Sequence, residues 1–276
     1  MKNLSLVAKL DIRESTRSKW FLVYLLIFGG LMALFFVTGI ADSVVMGFTG
    51  LSRLLLIYIQ VTIVILPIFI LVTTVRSISG DRESAVLEYM LSFPISLRDY
   101  YWGKMLGRFV IVFTPVFLAL ILGVLYGAFI KGGELPWKML LVYSALLFAL
   151  CAVFLGIAFF ISTLVKSHDV AVGVSFVVWI TLLAFIDIAL IGLMLANRWN
   201  DDLIISIALL NPMEVFRVGA ISLFDPELTV MGPVAYFLLD TFGHTLFLLY
   251  AIIYPILLGF GFAWLGYWFF KRKDLL

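Results

Sequence analysis

Apolar residues along this chain run together rather than alternating with polar ones. Phe21–Ala41, Leu54–Val75, Phe109–Ile130, Met139–Val165, Val170–Ala196 and Thr245–Phe270 are six long stretches of almost uninterrupted hydrophobic side chains. A helix rising 1.5 Å per residue needs about 20 such residues to cross roughly 30 Å of hydrocarbon, so each run predicts one transmembrane span. The period-two alternation of a barrel strand is absent from them. In lipid only helices and closed barrels satisfy their own backbone hydrogen bonds. The predicted fold is therefore all-α and polytopic, with six spans. The first run is too long for the apolar part of a signal peptide, and no small-x-small cleavage site follows it, so it is expected to be retained.

The segments between the runs carry a second pattern. In residues 1–19, Leu4, Val7 and Leu10, with Ile12 less regularly, share one helical face. This predicts an amphipathic helix lying at the headgroup layer with its Lys and Arg toward anionic lipid, and Trp20 marking the interface. Within residues 76–108, Val86, Leu87, Met90, Leu91 and Pro94 recur at spacings of three and four. They predict a short helix that Ser84 caps and Pro94 ends, with Asp81 and Glu83 also suiting the positive end of its dipole. Residues 197–244 hold "LIISIALLNPMEVF" and "GPVAYFLLDTF", each too short to span. These are expected to be interfacial or re-entrant helices punctuated by Pro212, Pro226 and Pro233.

Composition agrees with the pattern, and charge adds an orientation. Of 276 residues 64% are apolar and 13% charged, about half the usual charged share. The net charge of +2 says little; its distribution says more. With the N-terminus inside, fourteen Lys and Arg fall in cytoplasmic segments. Only Arg53, Lys131, Lys138, Arg198 and Arg217 fall outside. This positive-inside bias places both termini in the cytoplasm. Residues 76–108 then form the largest cytoplasmic loop, Lys166–Asp169 a second and very short one, and 197–244 an acidic outer segment. "WLGYWFFKRK" anchors the last span at the inner interface.

Candidate chemistry is sparse. One Cys, Cys151, excludes an internal disulfide and a Cys-based metal cluster. His168 and His244 fall on opposite sides of the membrane, and Met213 and Met231 suit packing better than ligation. No metal site is expected within the chain. No Lys follows the Gly-rich spacing of a phosphate-binding loop, so ATP and its Mg would be bound by another polypeptide. Asp187 is isolated inside the fifth span, where a carboxylate costs on the order of 2.5–3.5 kcal/mol. It either lines a translocation path or fixes packing against a neighbouring helix. Asp240 and His244 are spaced for local pairing, Gln60, Thr73 and Thr74 for interhelical hydrogen bonds, and Pro67, Pro115 and Pro255 permit kinks. The loop helix has two readings: a stiff knob that docks on a soluble partner, or an interfacial helix packed on its own bundle.

The order Asp81-Arg82-Glu83, Leu87-Glu88, Pro94-x-Ser96, Gly103-Lys104 resembles the signature loop of ABC-2 type transporter permeases, roughly "ERExGTLExLLxxPxS…GK". The N-terminal helix, the six spans, the tiny second loop and the outer helices agree with that family over nearly the whole chain. Ser84-Ala85-Val86 departs from it, standing where the family usually has Gly-Thr-Leu. The resemblance implies a permease subunit of the bacterial inner membrane, itself non-catalytic and without a cofactor. Two copies would pair and seat residues 81–104, with Lys166, His168 and Asp169, on cytoplasmic ATPase subunits. The outer element Asn211, Pro212, Glu214, Phe216 and Arg217 is similar to the branch that serves copper-site maturation of nitrous oxide reductase. It implies contact with a periplasmic maturation partner. Lipid is the other expected partner, and nucleic acid is not one. An exporter of a drug, lipid or peptide, and a non-transporting membrane scaffold, are the alternatives.

Overall fold

A computed structural model describes residues 2–17, 19–37, 50–130, 137–196, 200–223, 241 and 243–272. Among them there is no strand. In chain order the helices are α1 (Lys2–Thr16), α2 (Lys19–Val37), α3 (Gly50–Thr74), α4 (Arg76–Glu83), α5 (Val86–Leu91) and α6 (Leu97–Ile130). They continue as α7 (Trp137–Leu164), α8 (His168–Ile180), α9 (Ile186–Leu195), α10 (Asp201–Ala208), α11 (Pro212–Ile221) and α12 (Gly243–Arg272). A π-helical turn, Thr181–Phe185, joins α8 to α9. Pro67, Pro115 and Pro255 all lie inside helices.

Among the described residues, five helical stretches are long and apolar enough to cross a membrane: 58–83, 97–125, 137–164, 168–195 and 243–272. The 19 residues of α2 add about 28 Å of helix at 1.5 Å per residue. The protein is a polytopic all-α membrane protein.

Helix α7 is the centre of the bundle, with 72% of its apolar window buried against 11% for α8–α9. Apolar burial cannot drive association inside lipid, so close packing must. Small residues supply it where α7 meets α12. A Cβ on Gly156 would fall 2.0 Å from the Gly259 carbonyl oxygen, and one on Gly259 2.4 Å from that of Ala152. The two backbones therefore touch. Helix α1 docks on α6 in the same way. A Cβ on Gly103 would meet the Leu4 carbonyl oxygen at 2.8 Å, and one on Gly107 the Asp11 Cβ at 2.9 Å.

That docking changes the expected face of α1. Val7, Asp11 and Ser15 are the buried positions, whereas Leu6 and Leu10 are exposed. Asp11 selects this face because Arg108 Nε of α6 lies 3.2 Å from its Oδ2. The expected interhelical roles in the second span also shift. The Thr73 hydroxyl donates within its own helix to the Phe69 carbonyl at 2.7 Å, and Gln60 is exposed.

Helices α10 and α11 meet at a bend of 100°. The Asn211 side chain donates 2.7 Å to the Leu182 carbonyl, about midway along α8–α9. At the far end of α11, a ring nitrogen of His244 lies 3.1 Å from the Ser222 carbonyl oxygen, at the start of α12. The pair therefore enters the bundle and returns to the end it left, as a re-entrant hairpin.

Candidate functional site

Two regions concentrate polar groups in a nearly all-apolar molecule, and they lie at opposite ends of the bundle. The first is built by α4, α5 and the start of α6. Helix α3 turns at Val75 into α4, and α7 holds that turn: the Ser162 hydroxyl oxygen accepts from the Ile78 and Ser79 backbone N–H groups at 3.0 and 3.1 Å. Asp81 then accepts from both the Tyr100 hydroxyl and the Lys104 ammonium. Lys104, itself buried, donates at 3.0 Å to the Ser77 carbonyl. A buried charge is tolerated only when paired and hydrogen-bonded, and this triangle meets that condition while locking α4 to α6.

The other signature residues divide between interior and surface. Leu87 is buried and anchors α5, with Met90 and Leu91 packed beside it. The Ser96 hydroxyl accepts from the Asp99 N–H at 3.0 Å and so caps α6. Gly103 admits α1. Arg82 is half-buried, and Glu88 and Pro94 are exposed. The expected Ser84 cap is absent: the Ser84 hydroxyl donates back to the Gly80 carbonyl at 2.7 Å. The start of α5 is made instead by Ala85 at φ 57°, the only non-glycine residue with positive φ among the described residues. The departure from the family pattern thus falls where the backbone is left-handed, a conformation that glycine adopts without steric cost.

Two contacts tie this region to the rest of its end. Glu83 Oε2 accepts from the His168 backbone N–H at 3.0 Å, placing a carboxylate at the positive end of α8. The Asn3 side-chain amide donates at 3.0 Å to the Pro94 carbonyl. The segment 76–108, the short connection 165–167 and α1 are therefore cross-linked into one unit. Lys166 and Asp169 are exposed beside it, and His168 is half-buried.

Two residues of the surface this unit presents, Tyr89 and Phe93, were missed in the sequence. Val86, Tyr89 and Phe93 are exposed by 42%, 65% and 47%, and the Tyr89 and Phe93 rings pack edge to face with centroids 5.3 Å apart. Their spacing of three and four was available as a signal. It was hidden by the overlapping run of Leu87, Met90 and Leu91, which faces the bundle. One face of α5 thus packs on its own bundle, and the other is exposed.

At the other end, the re-entrant corner satisfies its backbone from neighbouring spans. Tyr250 and Tyr254 hydroxyls donate at 2.7 Å to the Leu209 and Leu210 carbonyls. The Asn211 side-chain oxygen accepts from the Met213 N–H at 3.0 Å, capping α11. Irregular backbone at membrane depth survives only where protein groups satisfy it. Asn211, Pro212 and Phe216 are buried, so three of the five residues expected to meet an outer partner are interior supports. Arg217 keeps partial exposure and pairs with Glu214. Glu214 also lies within interaction range of Asp187, so the lone acid of the fifth span has a neighbour on the hairpin. Residues 224–240, which carry Pro226, Met231, Pro233 and Asp240, lie outside the described residues. Among the described residues, no three His, Cys, Asp or Glu side chains converge as metal ligands.

A bundle of long apolar helices, braced at one end by a cross-linked polar unit and carrying a re-entrant hairpin at the other, defines a multi-pass membrane protein. Residues 5–275 match the model of the ABC-2 family transporter proteins, and the chain belongs to that family. It is 25% identical over 235 residues to the "Probable ABC transporter permease protein NosY" of Stutzerimonas stutzeri, covering 82% of this chain and 84% of that protein. It is 24% identical over 235 residues to the protein of the same description from Pseudomonas aeruginosa, covering 79% and 82%. It is thus the ABC-2 type permease component of an ABC transporter in the bacterial inner membrane, and such a permease works with an ATPase partner.

Proposed function

We propose that this chain converts the nucleotide cycle of a separate ATPase subunit into helix movement through residues 81–104. The observation that carries the proposal is the cross-linked unit at the α5 end. Glu83, Asp81 and Lys104 join α4, α6 and α8, while Val86 and Tyr89 on α5 and Phe93 just after it stand exposed. A push delivered to an apolar knob reaches the spans only if the knob is stiff and tied to several of them. Two copies, each seated on an ATPase subunit in the cytoplasm, would then move as rigid bodies between two states. ATP and Mg are held by the partner, and the permease catalyses no reaction itself. The outer event served is the maturation of the copper sites of nitrous oxide reductase. That reading is supported by the likeness of Asn211–Arg217 to the corresponding branch of the family, with a periplasmic maturation protein as the outer partner. Copper is handled there rather than by ligands in this chain.

The test is co-purification and ATPase measurement with the partner subunit. Tyr89→Ala with Phe93→Ala removes two exposed aromatic anchors, and loss of one such anchor typically costs more than 1 kcal/mol of binding. Affinity for the ATPase subunit should fall at least about tenfold, with the thermal midpoint of the permease unchanged. Undiminished association would remove α5 from the contact.

A further inference from the structure

We infer that the recess where α1, α2, α3 and α6 meet binds the phosphate headgroup of an anionic phospholipid. The recess measures about 210 Å³, several times the roughly 30 Å³ that one water occupies in the liquid. Its lining is divided by chemistry. Arg76 and Arg108 supply two guanidinium groups, and Phe21, Phe69 and Ile111 supply an apolar wall. Glu14 also borders the recess and Asp11 pairs with Arg108, but with Arg13 and Arg17 of α1 on the adjoining surface four guanidinium groups face these two carboxyls.

An independent feature points to a ligand. Ser15 lines the recess with only 5% of its surface exposed, and its buried hydroxyl has no hydrogen-bond partner. Buried polar groups in folded proteins are nearly always paired, so this hydroxyl asks for an acceptor that the protein does not provide. A phosphate oxygen is such an acceptor, and the planar arginine fork matches phosphate geometry.

The depth of the recess identifies the source of the phosphate. Arg76 follows directly on the apolar run of α3, and Arg108 directly precedes the apolar run of α6. On both helices the change from lipid-compatible to polar sequence falls at the recess. That is where headgroup phosphates lie, with acyl chains continuing along the apolar wall. Basic pockets between spans at this level favour anionic lipids. The inference rests on the membrane placement of the chain and is independent of the ATPase-coupling proposal.

The test uses the full-length chain in detergent and follows its thermal midpoint. Phosphatidylglycerol, phosphatidylcholine with the same acyl chains, and glycerol phosphate are titrated separately. Phosphatidylglycerol should raise the midpoint well above the other two. Arg76 is exposed, so Arg76→Gln should keep the lipid-free midpoint while weakening phosphatidylglycerol binding about tenfold, the loss of one charge-assisted contact. Ser15→Ala, which removes only the hydroxyl, should weaken it in the same direction and serves as the readout if Arg76→Gln does not fold. Equal shifts from the two lipids, a phosphatidylglycerol shift unchanged in both variants, or a glycerol phosphate shift as large as that of the lipid would each overturn the inference.

Discussion

Lys104 and Gly103 occupy adjacent positions of the signature loop, and neither has surface to offer a partner. Lys104 spends its charge on Asp81 and the Ser77 carbonyl, and Gly103 is the contact surface for α1. Removing one member of a mostly buried ion pair leaves the other uncompensated, at a cost of about 3 kcal/mol or more. Lys104→Met should therefore lower the thermal midpoint of the purified chain and loosen α4, read as faster amide exchange in residues 76–83. Asp11 gives a prediction in pH. Burial pushes its carboxyl above the usual range, against the lowering effect of Arg108 and Lys104. A carboxyl with a raised folded-state pKa holds its proton more tightly folded than unfolded. Its unfavourable contribution is full above that pKa and is relieved as pH falls through it. Stability should rise on mild acidification, and Asp11→Asn should flatten that rise; thermal midpoints measured from neutral to acidic pH check both.

Among the helices, the re-entrant pair departs most from what its sequence resembles. "LIISIALLNPMEVF" has the apolarity of a short interfacial helix, and Asn211-Pro212 marks its interruption. Only the contacts reveal that the interruption lies at mid-depth. Asn211 does two jobs there, capping α11 and satisfying Leu182 in the π-helical turn. Losing a helix cap costs about 1 kcal/mol, and leaving a buried carbonyl unpaired costs about 1–3 kcal/mol more. Asn211→Ala should destabilise the chain by about 2–4 kcal/mol, whereas Leu210→Ala, an exposed neighbour, should change little. Comparing thermal midpoints of the two variants separates a buried support from a surface contact. The α5 helix teaches the complementary lesson. Its periodicity was readable, but two apolar stripes overlap within the eight residues 86–93, and periodicity cannot say which of them the bundle covers.

On the scale of the whole molecule, the least covered of the five long spans among the described residues is α8–α9, at 11% buried, with Gly173, Val174, Phe176 and Val177 exposed on either side of the buried Ser175. The proposed pairing of two copies would use this face. With Cys151 replaced by Ser, Val177→Cys should give a disulfide-linked dimer in oxidised membranes, detected as a doubled mass under non-reducing conditions. Exclusively monomeric protein would place the pairing face elsewhere. The α7–α12 contact answers a different requirement. Backbone touches backbone at Gly156 and Gly259, which fixes the two helices as one rigid element within each copy.

Sequence alone determined that the chain crosses a membrane repeatedly as helices. Hydrocarbon thickness and the need to satisfy backbone hydrogen bonds within each segment leave a run of some twenty apolar residues no other structure. It also located the charged insert and the residues that carry the family likeness, because order along the chain is all that a motif needs. Tertiary structure decided which of those residues hold the molecule together and which remain on its surface: Lys104, Leu87, Asn211 and Phe216 turned inward, Tyr89 and Phe93 outward. In lipid nearly every face of a helix is apolar, so hydrophobicity no longer distinguishes inside from outside. That choice falls to glycine contacts and to the pairing of a few polar groups across helices, and both exist only once the helices have packed.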